Sequence, residues 1–225
     1  MKFILFIILS SQLFCSVSPY DKLSGMIYKS GVFFESIYTK VERDDDKQTK
    51  YGMNVGYFIT PNIELNAALS FIEERVVQNE NSYDADSNEF SFGLNYHIET
   101  FNIGANTLNF KLGAEYKIFT FDQHPYEDRL SIDSFNGNFF NLGIYFPFLI
   151  DKTKFVPFFN PTIGAFTIKG KLEQYDGSIT NEESKGLNAS FPLGIGVSKD
   201  RYAIVSGIYL EPNFPLFFSV SMKIK

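Results

Sequence analysis

The sequence predicts an all-β protein, an antiparallel up-and-down transmembrane β-barrel of about ten strands. Three observations predict this fold. Large apolar residues alternate with small polar residues nearly throughout the chain. Short and long connections alternate along it, and glycine and asparagine occupy the polar face where a soluble sheet would carry charged side chains. Eight or twelve strands are also compatible with this pattern.

The first residues differ from the rest of the chain. Lys2 precedes an apolar run that ends in small and polar residues, the order typical of a secretory signal peptide. Residues 1–18 are therefore predicted to be a signal peptide, and residues 19–225 a single barrel domain. A short N-terminal strand or anchor is the alternative, as is lipidation at Cys15, although Phe14 stands where a lipoprotein has a small residue. Loss of residues 1–18 removes Lys2 and the only cysteine, so the net charge of −6 becomes −7 and no disulfide can form.

Strand-forming segments follow residue 22, and none has the period of an amphipathic helix. The alternation is clearest over residues 89–99, where every second residue is large and apolar. Clusters of Asn, Asp, Gly and Pro separate the segments. Ten strands are predicted near residues 24–41, 50–59, 63–76, 88–99, 107–121, 137–149, 154–171, 187–198, 201–211 and 214–224.

The connections between these strands sort by length. The tight ones are Thr60-Pro61-Asn62, Asp151-Lys152-Thr153, Lys199-Asp200 and the slightly longer segment 100–106. The longer, polar and acidic ones are residues 43–49, 77–87, 122–137 and 173–186. Because the two kinds alternate, the long connections gather at one end of the sheet. That asymmetry is typical of membrane barrels, which have short turns on one side and long loops on the other.

The polar face of the strands is made of small residues. It carries Gly52, Asn54, Gly93, Asn95 and Gly113, whereas the opposite face is rich in Phe, Leu and Ile. The large apolar side chains of ten such strands would not fit into a small closed interior, but all of them could contact lipid. We therefore expect the apolar face to point outward into lipid and the polar face into the lumen. The alternative is a soluble secreted lipocalin-like barrel or sandwich with its apolar face inward.

The last predicted strand, "FFSVSMKIK", alternates apolar residues with Ser219, Ser221 and Lys223. It resembles the C-terminal strand of outer-membrane barrels, although it ends in Lys225 instead of an aromatic residue. Over residues 23–225 the chain resembles small bacterial outer-membrane β-barrel proteins, which include the membrane domain of outer-membrane protein A. The resemblance implies the outer membrane of a Gram-negative type bacterium, with membrane lipid and the barrel assembly machinery as partners. The acidic balance and the lack of a basic stripe argue against nucleic acid.

Charged residues on the polar face need partners in a narrow lumen. With the turn at residues 100–106 as the centre of a hairpin, four cross-strand pairs are predicted: Glu89 with Lys117, Ser91 with Glu115, Asn95 with Lys111 and His97 with Asn109. Lys29 or Glu35 from another strand could join the network. Its candidate residues are Glu64, Glu74, Glu89, Asn95, His97, Lys111, Glu115 and Lys117. Such a network either stabilises a plugged barrel or sets the selectivity of a narrow pore.

Enzymatic and metal signatures are weak. His97 is expected to be hydrogen-bonded in the lumen, and His124, near Asp122 and Asp128 in a long loop, is the better candidate for a hydrolase. No further catalytic partners match, so no catalytic residue is predicted. The stretch from residue 84 begins like a calcium loop but has Glu89 where glycine is required and Asn95 where glutamate is required.

No metal site and no cofactor are therefore predicted. The acidic loops, which include residues 44–46, could still bind divalent cations weakly. The sequence favours a non-enzymatic outer-membrane barrel with a structural or surface-interaction role. A narrow pore or small-molecule transport barrel is the first alternative, and an outer-membrane hydrolase that uses His124 is the second.

Overall fold

A computed structural model describes residues 24–43, 46–78, 81–84, 86–103, 106–121, 130–173, 177–210 and 215–224. Alternating apolar and polar residues form strands almost throughout these ranges. A 3-10 turn at Ser24–Met26 precedes them. The strands are β1 Gly31–Arg43, β2 Asp46–Thr60, β3 Ile63–Gln78, β4 Asn81–Asp84, β5 Ser87–Ile103, β6 Asn106–Phe121, β7 Leu130–Tyr145, β8 Phe148–Ile150, β9 Thr153–Phe159, β10 Thr162–Glu173, β11 Ile179–Ser190, β12 Pro192–Lys199, β13 Tyr202–Tyr209 and β14 Leu216–Lys223.

These segments form one antiparallel sheet that closes on itself. Its ring runs β7-β6-β5-β3-β2-β1-β14-β13-β12-β9 and returns to β7 through the pairs Ile144↔Phe159 and Tyr145↔Phe158. Three of the remaining strands belong to strands of this ring: β8 continues β7, β10 continues β9, and β11 leads into β12. Strand β4 pairs with β3. Within the described residues the fold is thus a closed ten-stranded up-and-down barrel, as the sequence predicts.

Three of the ten strands are interrupted at prolines. The breaks lie at Pro147, at Pro161 and just before Pro192. Proline has no backbone N–H and cannot donate to the ladder, so it shortens or interrupts a strand. The register nevertheless continues across each break. Phe148↔Phe155, Ile144↔Phe159 and Thr162↔Asn141 belong to one alignment, and Leu193↔Phe159 and Thr162↔Ser190 belong to another.

Several strands extend further than predicted at the end that carries the long loops. Strands β1 and β2 pair up to Arg43↔Asp46, although residues 43–49 were predicted to be a loop. Strand β7 already begins at Leu130 and β11 at Ile179. The prediction was wrong here because polar composition alone does not end a strand whose backbone finds a hydrogen-bonded neighbour.

The first strand begins later than predicted. The predicted start at residue 24 is wrong, because residues 24–28 turn into the barrel and β1 starts only at Gly31. Gly31 has φ of 80°, a left-handed conformation that glycine adopts without a steric penalty. This residue therefore marks the point where the chain leaves the lumen and enters the wall.

The large apolar side chains of residues 89–99 point out of the barrel. Phe90, Phe92, Leu94 and Tyr96 are exposed on its outer surface, and so are their neighbours on β6 and β7. The outward orientation of this face agrees with the prediction, since closed strands with an apolar exterior are suited to lipid. No helix among the described residues is long and apolar enough to cross a bilayer.

An arginine in the middle of the apolar outer band should destabilise the folded barrel in lipid. Leu112 lies near the centre of the outward face of β6, and Leu112→Arg should lower the free energy of unfolding by about 2–4 kcal/mol. Thr120→Arg, on the same face near the long-loop end, should cost about 0–1 kcal/mol. Urea titration of folding into lipid vesicles measures both. Equal effects of the two substitutions would contradict the lipid-facing orientation.

Candidate functional site in the lumen

Asparagines in the lumen lie directly across the sheet from glycines. Asn66 pairs with Gly93, and Gly113 lies between Asn95 on β5 and Asn141 on β7. A Cβ atom added to Gly113 would lie 2.2 Å from Asn95 Oδ1 and 2.3 Å from Asn141 Nδ2. Glycine therefore provides the space that the amide on the neighbouring strand occupies. This explains why small residues fill the polar face.

Glu89 is the centre of a buried charge cluster. Lys50 Nζ donates to its Oε2 atom at 2.7 Å, and Lys117 Nζ donates to its Oε1 atom at 2.9 Å. Glu115 Oε1 lies 3.8 Å from Lys117 Nζ, which also lies 5.8 Å from the ring centroid of Phe139. Two ammonium groups and two carboxylates give the cluster a formal charge of zero. Burial of these ions is thus compensated by pairing.

A second polar group joins β3, β5 and β7. His97 Nε2 lies 2.8 Å from Glu64 Oε2, and His97 Nδ1 lies 3.0 Å from the Tyr145 hydroxyl. With Glu64 ionised, Nε2–H donates to the carboxylate and Nδ1 accepts the tyrosine O–H. Both ring nitrogens of this buried histidine are therefore occupied by structural partners.

Glu35 lies in the lumen, where its three side-chain hydrogen-bond donors among the described residues are all neutral. Its Oε1 atom accepts hydrogen bonds from Ser24 Oγ and Ser219 Oγ, both at 2.8 Å. Its Oε2 atom accepts one from Asn54 Nδ2 at 3.1 Å. These three neutral donors compensate the burial of the carboxyl group. One of them, Ser24, belongs to the segment that enters the barrel ahead of β1.

Residues 24–28, here called the N-terminal segment, fill the lumen at the short-turn end. All five residues are buried. The Tyr28 hydroxyl donates to the Arg201 carbonyl at 3.0 Å, and Lys154 Nζ donates to the Ile27 carbonyl at 2.5 Å. A Cβ at Gly25 would lie 2.0 Å from Glu64 Oε2. The segment is therefore held against β3, β9 and the turn at residues 200–201 with no space between it and Glu64.

The side of the lumen opposite the charges is apolar. This arrangement departs from the sequence prediction of a polar interior, because β9 and β13 place Val156, Phe158 and Val205 inward. Apolar residues on both faces of β9 were the signal that could have revealed it. The buried cluster comprises Met26, Ile27, Tyr28, Phe33, Phe58, Tyr145, Val156, Phe158, Ala203, Val205, Tyr209 and Phe217.

The predicted cross-strand pairs of β5 and β6 are wrong by two residues. The structure pairs Ser91 with Lys117, Gly93 with Glu115 and His97 with Lys111. The difference arises because the register shifts between Glu99 and Phe101 and the turn lies later than assumed. A register shift of two residues leaves every side chain on the same face of the sheet.

The structure brings some of the predicted lumen residues together and separates others. Glu89, Lys117 and Glu115 share one cluster, to which Lys50, absent from the prediction, also belongs. Glu64 and His97 form the second group.

The remaining candidates occupy different places. Lys111 is buried opposite His97, and Asn95 is buried beside Gly113. Lys29 forms an ion pair with Glu99 at the rim of the barrel. The backbone of Glu74 pairs with Gln48, and its side chain lies outside the described residues.

Other predicted features also lie outside the described residues. These are the signal peptide with Cys15, the loop with Asp122, His124 and Asp128, and the acidic positions 44–45. Among the residues that the structure describes, no group of three or more His, Cys, Asp or Glu side chains is arranged to hold a metal ion.

Comparisons with known proteins identify the fold. No protein-family model matches the chain, and no curated protein matches it significantly. The transport unit of the autotransporter AIDA-I from Escherichia coli is similar, with a TM-score of 0.52, 7% identity and 95% of each chain covered. At such identity this likeness shows the fold alone, that of an outer-membrane β-barrel.

Two further barrels are less similar in structure. The beta domain of the Bordetella autotransporter BrkA has a TM-score of 0.46 and 11% identity, covering 87% of this chain and 99% of that one. Outer membrane phospholipase A from Escherichia coli has a TM-score of 0.32 and 10% identity, covering 89% of this chain and 95% of that one.

Removal of the central carboxylate should strongly destabilise the barrel. Glu89→Gln leaves Lys50 and Lys117 buried without this counter-ion, which should cost about 3–5 kcal/mol of unfolding free energy. Glu183→Gln, which removes an exposed partner of Lys185, is the control and should leave stability unchanged within error. Urea unfolding in detergent micelles measures both. Similar midpoints for the two variants would show that the buried cluster contributes little.

Proposed function

We propose that this protein is an outer-membrane barrel of a Gram-negative type bacterium, closed at its short-turn end, with a structural or surface-interaction role. The observation that carries the proposal is the position of the N-terminal segment inside the lumen. Residues 24–28 are buried there and bonded to side chains or backbone of β1, β9 and the turn at residues 200–201. A solute that entered from this end would have to displace them.

The rest of the lumen supports closure. The charges of Lys50, Lys117, Glu89 and Glu115 compensate one another instead of lining an open path. On the other side, the aromatic rings of Phe158 and Phe217 pack 6.2 Å apart between centroids. A lumen that contains compensated ion pairs and packed rings favours a structural barrel over an open pore.

A narrow gated path is the second candidate, and a set of buried amide oxygens favours it. The Oδ1 atoms of Asn54, Asn66, Asn109, Asn141 and Asn160 have no hydrogen-bond partner among the described residues. Buried acceptors of this kind are usually satisfied by water. A hydrated polar side of the lumen would conduct only after the N-terminal segment had left it.

The proposed outer-surface role involves membrane lipid, the barrel assembly machinery and weak divalent-cation binding at the acidic loops. These partners follow from the lipid-facing exterior and from the resemblance to small outer-membrane barrels. We propose no catalytic role for His97, because Glu64 and Tyr145 occupy its two nitrogens.

A hydrolase that uses His124 is the enzymatic alternative. Under the proposed non-enzymatic role, neither the purified chain nor its His124→Ala variant should hydrolyse phospholipid or peptide substrates in detergent. Activity of the natural chain that the substitution abolishes would overturn that part of the proposal.

The N-terminal segment should prevent ion conduction. In planar bilayers the natural chain should show no steady current, whereas deletion of residues 24–28 should open discrete channels. Gly25→Leu should act like the deletion, because no side chain fits between this residue and Glu64. Ser30→Leu, at an exposed position just outside the segment, is the matched control and should stay silent.

Heat-modifiable migration on gels should first confirm that each variant is folded. Steady current through the natural chain would contradict closure. A folded deletion variant without current would show that the segment is not the seal.

A further inference from the structure

A groove of about 430 Å³ lies across β7, β10 and β11. Two rows of paired residues form it, Asn136–Thr167–Lys185 and Asn138–Ala165–Leu187. The ring of Phe166 is buried inside the barrel, so the residues flanking it on β10, Ala165 and Thr167, face outward. Gly137 and Gly186 pair with Phe166 and share its inward face, since an added Cβ at Gly186 would lie 2.1 Å from Phe166 Cζ. The side chains that form the groove in the outer wall are therefore those of the two outward rows.

The groove lies where the apolar band of the wall ends. The next row toward the short-turn end is Phe140–Ile163–Ala189, in which Phe140 and Ile163 are 60% and 55% exposed. The next row toward the long-loop end contains Lys169 opposite Glu183. Polar atoms thus border the groove on one side and lipid-facing apolar atoms on the other. This is the level at which lipid headgroups meet acyl chains.

The polar border of the groove is cationic in an acidic protein. Lys169, Lys171 and Lys185 lie on the outer face there, with Asp133 at 3.3 Å from Lys171 and Glu183 at 3.0 Å from Lys185. Three ammonium groups and two carboxylates among the described side chains give a net charge of +1, whereas the whole chain carries −6.

The field of these lysines also acts on Glu183, which lies beyond the apolar band. Its pKa is lowered, chiefly by the hydrogen bond and charge of Lys185, with a further contribution from the charge of Lys169. The amides of Asn136 and Asn138 and the hydroxyl of Thr167 add neutral donors. An anionic group in the groove would therefore find both charge and hydrogen bonds.

We propose that this groove binds the phosphate headgroup of an anionic membrane lipid, whose acyl chain runs over Leu187 and Ile163 toward Phe140. The size of the groove suits a headgroup, since ligand sites are typically about 300–1,000 Å³. Leu187, 76% exposed, supplies apolar contact directly beside Lys185. The inference rests on the lipid-facing orientation of the proposed barrel.

The chain has no tryptophan, so one introduced residue becomes the only indole reporter. Phe140→Trp places it beside the groove, and Phe92→Trp places it on the outer face of β5, where the adjacent outward residues of β5 and β6 include no lysine. Each full-length variant is reconstituted in phosphatidylcholine vesicles that contain brominated phosphatidylglycerol or brominated phosphatidylcholine. Quenching of tryptophan fluorescence then gives the relative affinity for the two lipids.

At Phe140→Trp we expect preferential quenching by phosphatidylglycerol, and at Phe92→Trp equal quenching by both lipids. Lys185→Gln and Lys169→Gln in the Phe140→Trp background should each reduce the preference about fivefold, whereas Lys185→Arg should retain it. High salt should weaken it.

Each other outcome is decisive. Equal quenching by both lipids at Phe140→Trp would overturn the groove proposal while leaving the barrel orientation intact. Absence of quenching at both reporters would contradict the orientation itself. Stronger quenching by a brominated fatty acid than by phosphatidylglycerol would show that the site recognises a carboxylate instead of a phosphate.

Discussion

Closure of the backbone hydrogen-bond ladder is the constraint on which the rest of the structure depends. In lipid no water is present to satisfy an open strand edge, so every strand needs two neighbours. The first strand β1 pairs with the last strand β14, and β9 with its continuation β10 pairs with β7 and β8, so the ring is complete. Where Pro192 cannot donate, the carbonyl of Asn160 accepts a hydrogen bond from Thr162 Oγ1 at 3.3 Å. The Thr162 hydroxyl thus supplies a hydrogen bond that the backbone of Pro192 cannot donate.

A closed ring of ten strands has a fixed interior, and this volume determines the inward residues. Glycine faces asparagine because two full side chains do not fit at the same height, as Gly113 shows between Asn95 and Asn141. The same confinement requires charges to compensate one another locally. Lys50 and Lys117 therefore share Glu89, and the desolvation of three ions is offset within one hydrogen-bonded group.

The sequence predicted the faces of the strands much better than their partners. Alternation decides which way a side chain points, and this survives a register error of two residues, as for Glu89 and Lys117. The exact pairs depend on the position of the turn after Ile103 and on the register shift near Glu99, and neither leaves a compositional signal. The position of residues 24–28 was missed because their destination is set by distant contacts, such as that of Tyr28 with Arg201. The membership of Lys50 in the charge cluster was not predicted, because the predicted strand 50–59 begins at this residue and its inward orientation was not considered.

The free energy that holds the N-terminal segment in the lumen is a small difference between opposing contributions of similar size. Burial of Met26, Ile27 and Tyr28 contributes about 1.5–3 kcal/mol each. Fixing the backbone of five residues costs about 1–2 kcal/mol per residue, which nearly cancels that gain. The hydrogen bonds of Ser24, Tyr28 and Lys154, at about 0.5–1.5 kcal/mol each, then decide the balance. Under the proposed closed barrel, a net stabilisation of a few kcal/mol would keep the N-terminal segment in the lumen in nearly all molecules and leave brief opening thermally accessible. The gated path of the second candidate would then be the minor population of the same equilibrium, and a ligand that competed for Glu35 or for the Ile27 carbonyl would shift it.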